Sequence, residues 1–98
     1  MNVQVPQDRI EAFCRKWKIR EFALFGSVLR DDFRPDSDVD VLVTFDPDAD
    51  HSFGDWLDMQ DELAEMFGRK VDMVRKELIE NRFIRRHIMN NHQILYAA

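Results

Sequence analysis

Cysteine is nearly missing from this sequence: Cys14 is the only one in 98 residues. A single cysteine closes no disulfide within the chain, which fits a reducing compartment, and no cysteine–histidine pattern surrounds it to suggest a nucleophile. Cys14 is expected in the core as a small apolar residue. Long apolar runs are missing too, so no segment predicts a membrane span. The start, Met1-Asn2-Val3-Gln4-Val5-Pro6, lacks the basic residues and apolar stretch of a secretory signal, and the expected location is cytoplasmic. Positive charge is in deficit: 14 lysines and arginines stand against 19 aspartates and glutamates, a formal net charge of −5. Nucleic-acid binding draws much of its strength from neutralising many phosphates, so a direct nucleic-acid binder is not expected. The same deficit suits a protein partner with a basic surface.

What is present describes one small domain over residues 1–98, 45% apolar and 34% charged, near the lower end of what a single core stabilises. Ile10, Phe13, Cys14 and Trp17 recur at helical spacing and predict a packing helix over 7–17, with Lys16, Lys18 and Arg20 as a solvated basic cluster at its end. Ser52 to Gly68 predicts a second amphipathic helix, and Glu77 to Asn91 a third whose outer face carries Arg82, Arg85, Arg86 and His87. Asp46 to Asp50 is acidic but lacks the spacing, glycine and glutamate of a calcium loop, so this loop and the neighbouring lone His51 are expected to be solvated. The ending Ile94-Leu95-Tyr96-Ala97-Ala98 is too apolar to hang in water and is expected to dock on the sheet or on another chain.

Three strands are expected between these helices. Ile19 to Phe25 is an apolar run that stops at Gly26-Ser27, where a glycine allows close backbone approach and the following N–H groups suit phosphate oxygens. Ser27 taken alone is more often an ordinary helix cap. After the Arg34-Pro35-Asp36-Ser37 turn, Val39, Val41 and Val43 alternate with Asp38 and Asp40, which puts both carboxylates on one strand face. Such a pair either shows its charge to water or holds a hard cation such as Mg²⁺. Arg69 to Arg75 forms the third strand, with Asp72 pointing away from Val71 and Met73. If it neighbours the aspartate strand, Asp72 joins Asp38 and Asp40; otherwise it is a surface residue on an edge strand.

Gly26-Ser27, ten further residues and then Asp38-Val39-Asp40 resemble the signature of the DNA polymerase β nucleotidyltransferase superfamily. From Ile19 to the C-terminus, and in the wording FGSVLRDDFRPDSDVDVLV, the chain is similar to the minimal nucleotidyltransferases, among them the MNT antitoxins encoded beside HEPN-domain toxins. It departs from many members at Leu29 and Asp31, where they carry a small residue and a glycine around the arginine. The resemblance implies an α/β (α+β) fold, a small mixed sheet covered by helices, and ATP as substrate with Mg²⁺, two ions in all. It implies that Asp38 and Asp40 hold the metals, that Asp72 holds one metal and helps deprotonate the acceptor, and that Gly26 and Ser27 grip the β- and γ-phosphates. Ser37 is a further nucleotide-binding candidate, and Arg30 either neutralises triphosphate charge or pairs with Asp31 or Asp32.

The implied activity is transfer of AMP to a protein hydroxyl, with the chain serving as an antitoxin that adenylylates a tyrosine of a HEPN RNase toxin. The length leaves little chain to bind an acceptor, so the acceptor is expected to come with another molecule, in a homo- or hetero-oligomer. Two alternatives stand beside this: a small-molecule nucleotidyltransferase of the aminoglycoside-modifying kind, and a non-catalytic module that neutralises its partner by occlusion.

Overall fold

The structure, a computed structural model, describes residues 5–29 and 37–98. Helix α1 (Gln7–Lys16) leads into strand β1 (Ile19–Phe25), a short 3-10 turn (Gly26–Leu29), and strand β2 (Val39–Phe45). Helix α2 (Phe53–Phe67), strand β3 (Val71–Arg75), helix α3 (Arg82–Asn90) and strand β4 (His92–Ala97) follow. The four strands form one sheet in the order β3-β2-β1-β4. β1 runs antiparallel to both β2 and β4, whereas β2 and β3 are parallel. A parallel pair needs a crossover, and α2 supplies it.

The alternation in β2 divides the molecule. Val39, Val41, Val43 and Phe45 pack with Phe22, Leu24, Val71 and Met73 against Ile10, Phe13 and Cys14 of α1 and Met59 and Leu63 of α2. Burying each such side chain stabilises the fold by about 1.5–3 kcal/mol before chain entropy is counted. The opposite sheet face is covered more thinly, by Ile88 of α3 on Ala23 and Leu42, with Phe25, Val74, Ile79 and Met89 at the margin.

Local chemistry explains the helix ends. Ser52 accepts from the Asp55 amide at 3.1 Å while the Asp55 carboxylate accepts from the Ser52 amide at 3.0 Å, and Gly68 closes α2 in a left-handed conformation at φ +70°. The predicted third helix begins late. Lys76–Leu78 form a separate 3-10 turn, and α3 starts at Arg82 because the Asn81 side chain accepts from the amides of Phe83 and Ile84.

The apolar C-terminus docks on the sheet as strand β4, pairing with β1. His51 is not solvated as expected. Its side chain is 17% exposed, its Nε2–H donates to the Trp17 carbonyl at 2.6 Å, and its ring meets those of Phe45 and Trp17 edge-on. The basic cluster is only partly free as well, since Lys16 Nζ and Trp17 Nε1 both donate to the Glu62 carboxylate and tie α1 to α2. Cys14 is fully buried, and burial first, then the Glu11 charge, pushes its thiol up to about 12. Among the described residues, no helix is long and apolar enough to cross a membrane.

Candidate active site

Asp38 and Asp40 stand on the sheet face opposite Val39 and Val41, both of which are fully buried. The parallel register sets Asp40 opposite Asp72 and Val39 opposite Val71. Paired residues in a ladder share a face, and neighbouring strands lie about 5 Å apart. Asp72 is exposed and Asp40 half-buried, so both side chains stand on the same face at a solvent-accessible rim of the sheet.

The antiparallel ladder on the other side of β2 pairs Asp40 with Phe25, the last residue of β1. The chain then turns at Gly26, where φ is +78°. A Cβ built on Gly26 would lie 2.3 Å from Oδ2 of Asp40, so the turn and the carboxylate are in close approach. Ser27, half-buried, follows in the 3-10 turn Gly26–Leu29. Gly26, just past the end of β1, thus lies beside Asp40 on β2 and Asp72 on β3 at one end of the sheet.

The other candidates are less tightly gathered. Asp38 faces Lys70, whose Nζ is 3.9 Å from its Oδ2 in an exposed ion pair. Ser37 is half-buried, and its carbonyl accepts from Arg69 Nη1 at 3.3 Å. Arg30 lies outside the described residues. Lys70 escaped the sequence reading, although it sits two positions before Asp72 and its alternation puts it on the same face.

Carboxylate oxygens are the donors that Mg²⁺ takes, usually one or two of them completed by waters and substrate phosphates. Among the described residues, no three acidic, histidine or cysteine side chains form a ready metal-holding group. The Asp40–Asp72 pair beside a glycine turn fits the incomplete kind of site, in which the metal arrives with its nucleotide. For Asp38 to join it, the ion pair with Lys70 would have to be released, an exposed contact worth at most about 1 kcal/mol.

A nucleotidyltransferase domain profile matches residues 8–95 of the chain. The chain belongs to the nucleotidyltransferase family. Among relatives of this nucleotidyltransferase, a Methanocaldococcus jannaschii chain provisionally named a protein adenylyltransferase is 36% identical over 73 residues, 74% of this chain and 73% of its own length. Its fold is shared with a crystal structure of a toxin-antitoxin with AMP-PNP, at a TM-score of 0.74 and 20% identity over 96% of this chain and 75% of that one. A second solved structure, of a tri-AMPylated Shewanella oneidensis HEPN toxin in complex with MNT antitoxin, has a TM-score of 0.65 at 19% identity over 94% of this chain and 70% of that one. The expected mixed sheet covered by helices is therefore the fold of this nucleotidyltransferase.

Proposed function

We propose that this nucleotidyltransferase is a cytoplasmic antitoxin that transfers AMP from ATP to a tyrosine hydroxyl of a HEPN RNase toxin. The observation that carries the reading is the convergence of Asp40 and Asp72, opposite each other on parallel strands, with Gly26 closed against Asp40. The name of the Methanocaldococcus jannaschii relative and the HEPN toxin–MNT antitoxin structure support the choice of a protein acceptor. The AMP-PNP complex of the other structural neighbour supports ATP as donor.

In this reading the amides at Gly26 and Ser27 hold the β- and γ-phosphates, while Asp38, Asp40 and Asp72 hold the metal side of the nucleotide. Magnesium, when bound, supplies neutralisation of the charge that develops on the attacking and leaving oxygens. The acceptor oxygen forms a bond to the α-phosphorus, the bond from that phosphorus to the β-bridging oxygen breaks, and pyrophosphate leaves with the electron pair. The acceptor's proton passes to a carboxylate oxygen of Asp72, which stands on the β3 side of Asp40 with its side chain open to an incoming partner.

The test is intact mass of the HEPN protein after incubation with the wild type or with Asp38→Asn/Asp40→Asn, together with label transfer from α-labelled ATP. The wild type is expected to add AMP units and the double variant none. Equal labelling by both proteins would refute the assignment, and an inactive variant that still neutralised the toxin would instead favour occlusion.

A further inference from the structure

Helix α3 is held to the sheet near one end only. Of its nine residues, Ile88 is buried and Met89 half-buried, and the rest are exposed. Ile88 covers Ala23 and Leu42, whereas Ile84, one turn earlier on the same side of the helix, is 54% exposed and the neighbouring Phe83 75%. Leu78, in the 3-10 turn that precedes the helix, is 68% exposed. A helix this short draws its stability from packing more than from propensity. Three large apolar side chains left in water within residues 78–84 therefore mark a surface that is finished by a partner.

Charge says what kind of partner. Arg82, Arg85 and Arg86 lie on α3, and no acidic residue does. Arg82 and Arg85 stand in its first turn, where the helix dipole is positive and anions, not cations, are favoured. Arg82 lies over the Phe83 ring at 5.8 Å, and none of the three arginines forms an ion pair with a described residue. Of the acids just before the helix, Glu77 is paired with Arg75 at 3.9 Å, which leaves Glu80. This surface is thus basic in a chain whose net charge is −5. A second copy docked about a two-fold axis would set arginines against arginines, and the overall charge opposes a nucleic acid. An acidic protein surface with an apolar centre satisfies both the arginines and the exposed side chains.

The position fits an acceptor. Ile88 rests on Leu42, which alternates to the same sheet face as Asp40, so α3 lies on the face that carries Asp40 and Asp72. We propose that the exposed side of α3, with Leu78, is the docking surface for the protein acceptor and recognises an acidic surface with an apolar centre on it. The assignment rests on the function proposed above and adds how the acceptor is held. Arg82, Arg85 and Phe83 touch no reacting atom in this arrangement; they are positioning residues that act through binding.

Steady-state transfer from α-labelled ATP to the HEPN protein tests it, on the wild type, Arg82→Glu/Arg85→Glu and Phe83→Ser. Each variant is expected to raise KM for the HEPN protein about tenfold or more, while kcat and ATP affinity stay within about twofold. The wild-type KM is expected to rise severalfold between about 0.1 M and about 0.5 M salt, and that of the charge-reversed variant to stay level. Thermal unfolding of Arg82→Glu/Arg85→Glu is expected at or above the wild-type midpoint, because glutamates suit the positive end of the helix; a merely structural role would lower it. An unchanged KM in both variants overturns the docking surface and leaves the proposed function standing. So does a fall in midpoint that carries ATP affinity down with it. Sedimentation of the wild type, but not of the variants, with anionic phospholipid vesicles assigns the surface to a membrane and likewise overturns it. A wild type that leaves no label on the HEPN protein overturns the proposed function and the docking surface with it.

Discussion

The Cβ that Gly26 lacks would sit 2.3 Å from Oδ2 of Asp40. No real Cβ is tolerated at that distance, so in Gly26→Ala the carboxylate has to swing away. The alanine must also hold a φ near +78°, at about 1–2 kcal/mol. The carboxylate end of Asp40 moves more easily than backbone does, so the stability loss is expected to stay near 1–2 kcal/mol in urea denaturation. Transfer is expected to fall about a hundredfold or more, because a misplacement of about 1 Å at a reacting centre is that costly. An activity loss under tenfold would contradict the coupling of turn and carboxylate.

If Asp72 takes the acceptor's proton, its substitution separates binding from chemistry. Its side chain is exposed, so Asp72→Asn is expected to change stability by no more than about 0.5 kcal/mol. With Asp38 and Asp40 still present, ATP affinity is expected to remain within threefold by calorimetry. AMP transfer is expected to drop by about 10²–10⁴, the usual contribution of a positioned base. A variant that loses ATP binding along with transfer would make holding the metal–nucleotide, not taking the acceptor's proton, the main work of Asp72.

Much of the sheet was legible because each central strand buries one face. Val39-Asp40-Val41 and Val71-Asp72-Met73 announce their faces by alternation, and the buried valines agree. What alternation does not carry is which strands adjoin. That is settled by the α2 crossover, whose Met59 and Leu63 lie in the same core as Val71 and Met73. β4 was hidden for a different reason. It is an edge strand with no buried residue, and its register against β1 shifts between Phe22 and Ala23, which breaks the period-2 pattern. The start of α3 was hidden because Leu78 and Ile79 keep helical spacing with the residues after them, while the Asn81 cap decides the boundary.

Cys14 is expected to be inert in the native state. With its thiol pushed up to about 12, almost no thiolate forms at pH 8. Iodoacetamide is expected to modify the native protein at least a hundredfold more slowly than the urea-unfolded chain, read by mass. The linkage runs in one direction. The folded value lies above the ordinary 9.0, so the stabilising effect is complete below pH 9 and is lost as pH rises toward 12. The slope of stability against pH in that window should flatten in Cys14→Ala, which also loses some packing at all pH values. An unchanged slope would assign the alkaline loss to other groups.

Glu62 fastens α1 to α2 through two donors, Lys16 Nζ and Trp17 Nε1, the latter at 2.6 Å. Burial raises its carboxyl, but the hydrogen bonds from Lys16 and Trp17 and the Lys16 charge together outweigh that and hold it below the ordinary 4.5. A depressed carboxyl stabilises the fold above the unfolded value and loses that effect as pH falls through the folded one. Glu62→Gln is therefore expected to cost about 1 kcal/mol at pH 7, a modest figure because the pair is partly solvated. The difference between the variant and the wild type should shrink as pH falls below the ordinary 4.5 and through the lower folded value, where the wild-type carboxyl is itself neutralised. Urea denaturation at pH 7 and at pH 3 measures both values. A difference that persisted at pH 3 would mean that the glutamine disturbs the packing of Trp17, and that charge is not what fastens the two helices.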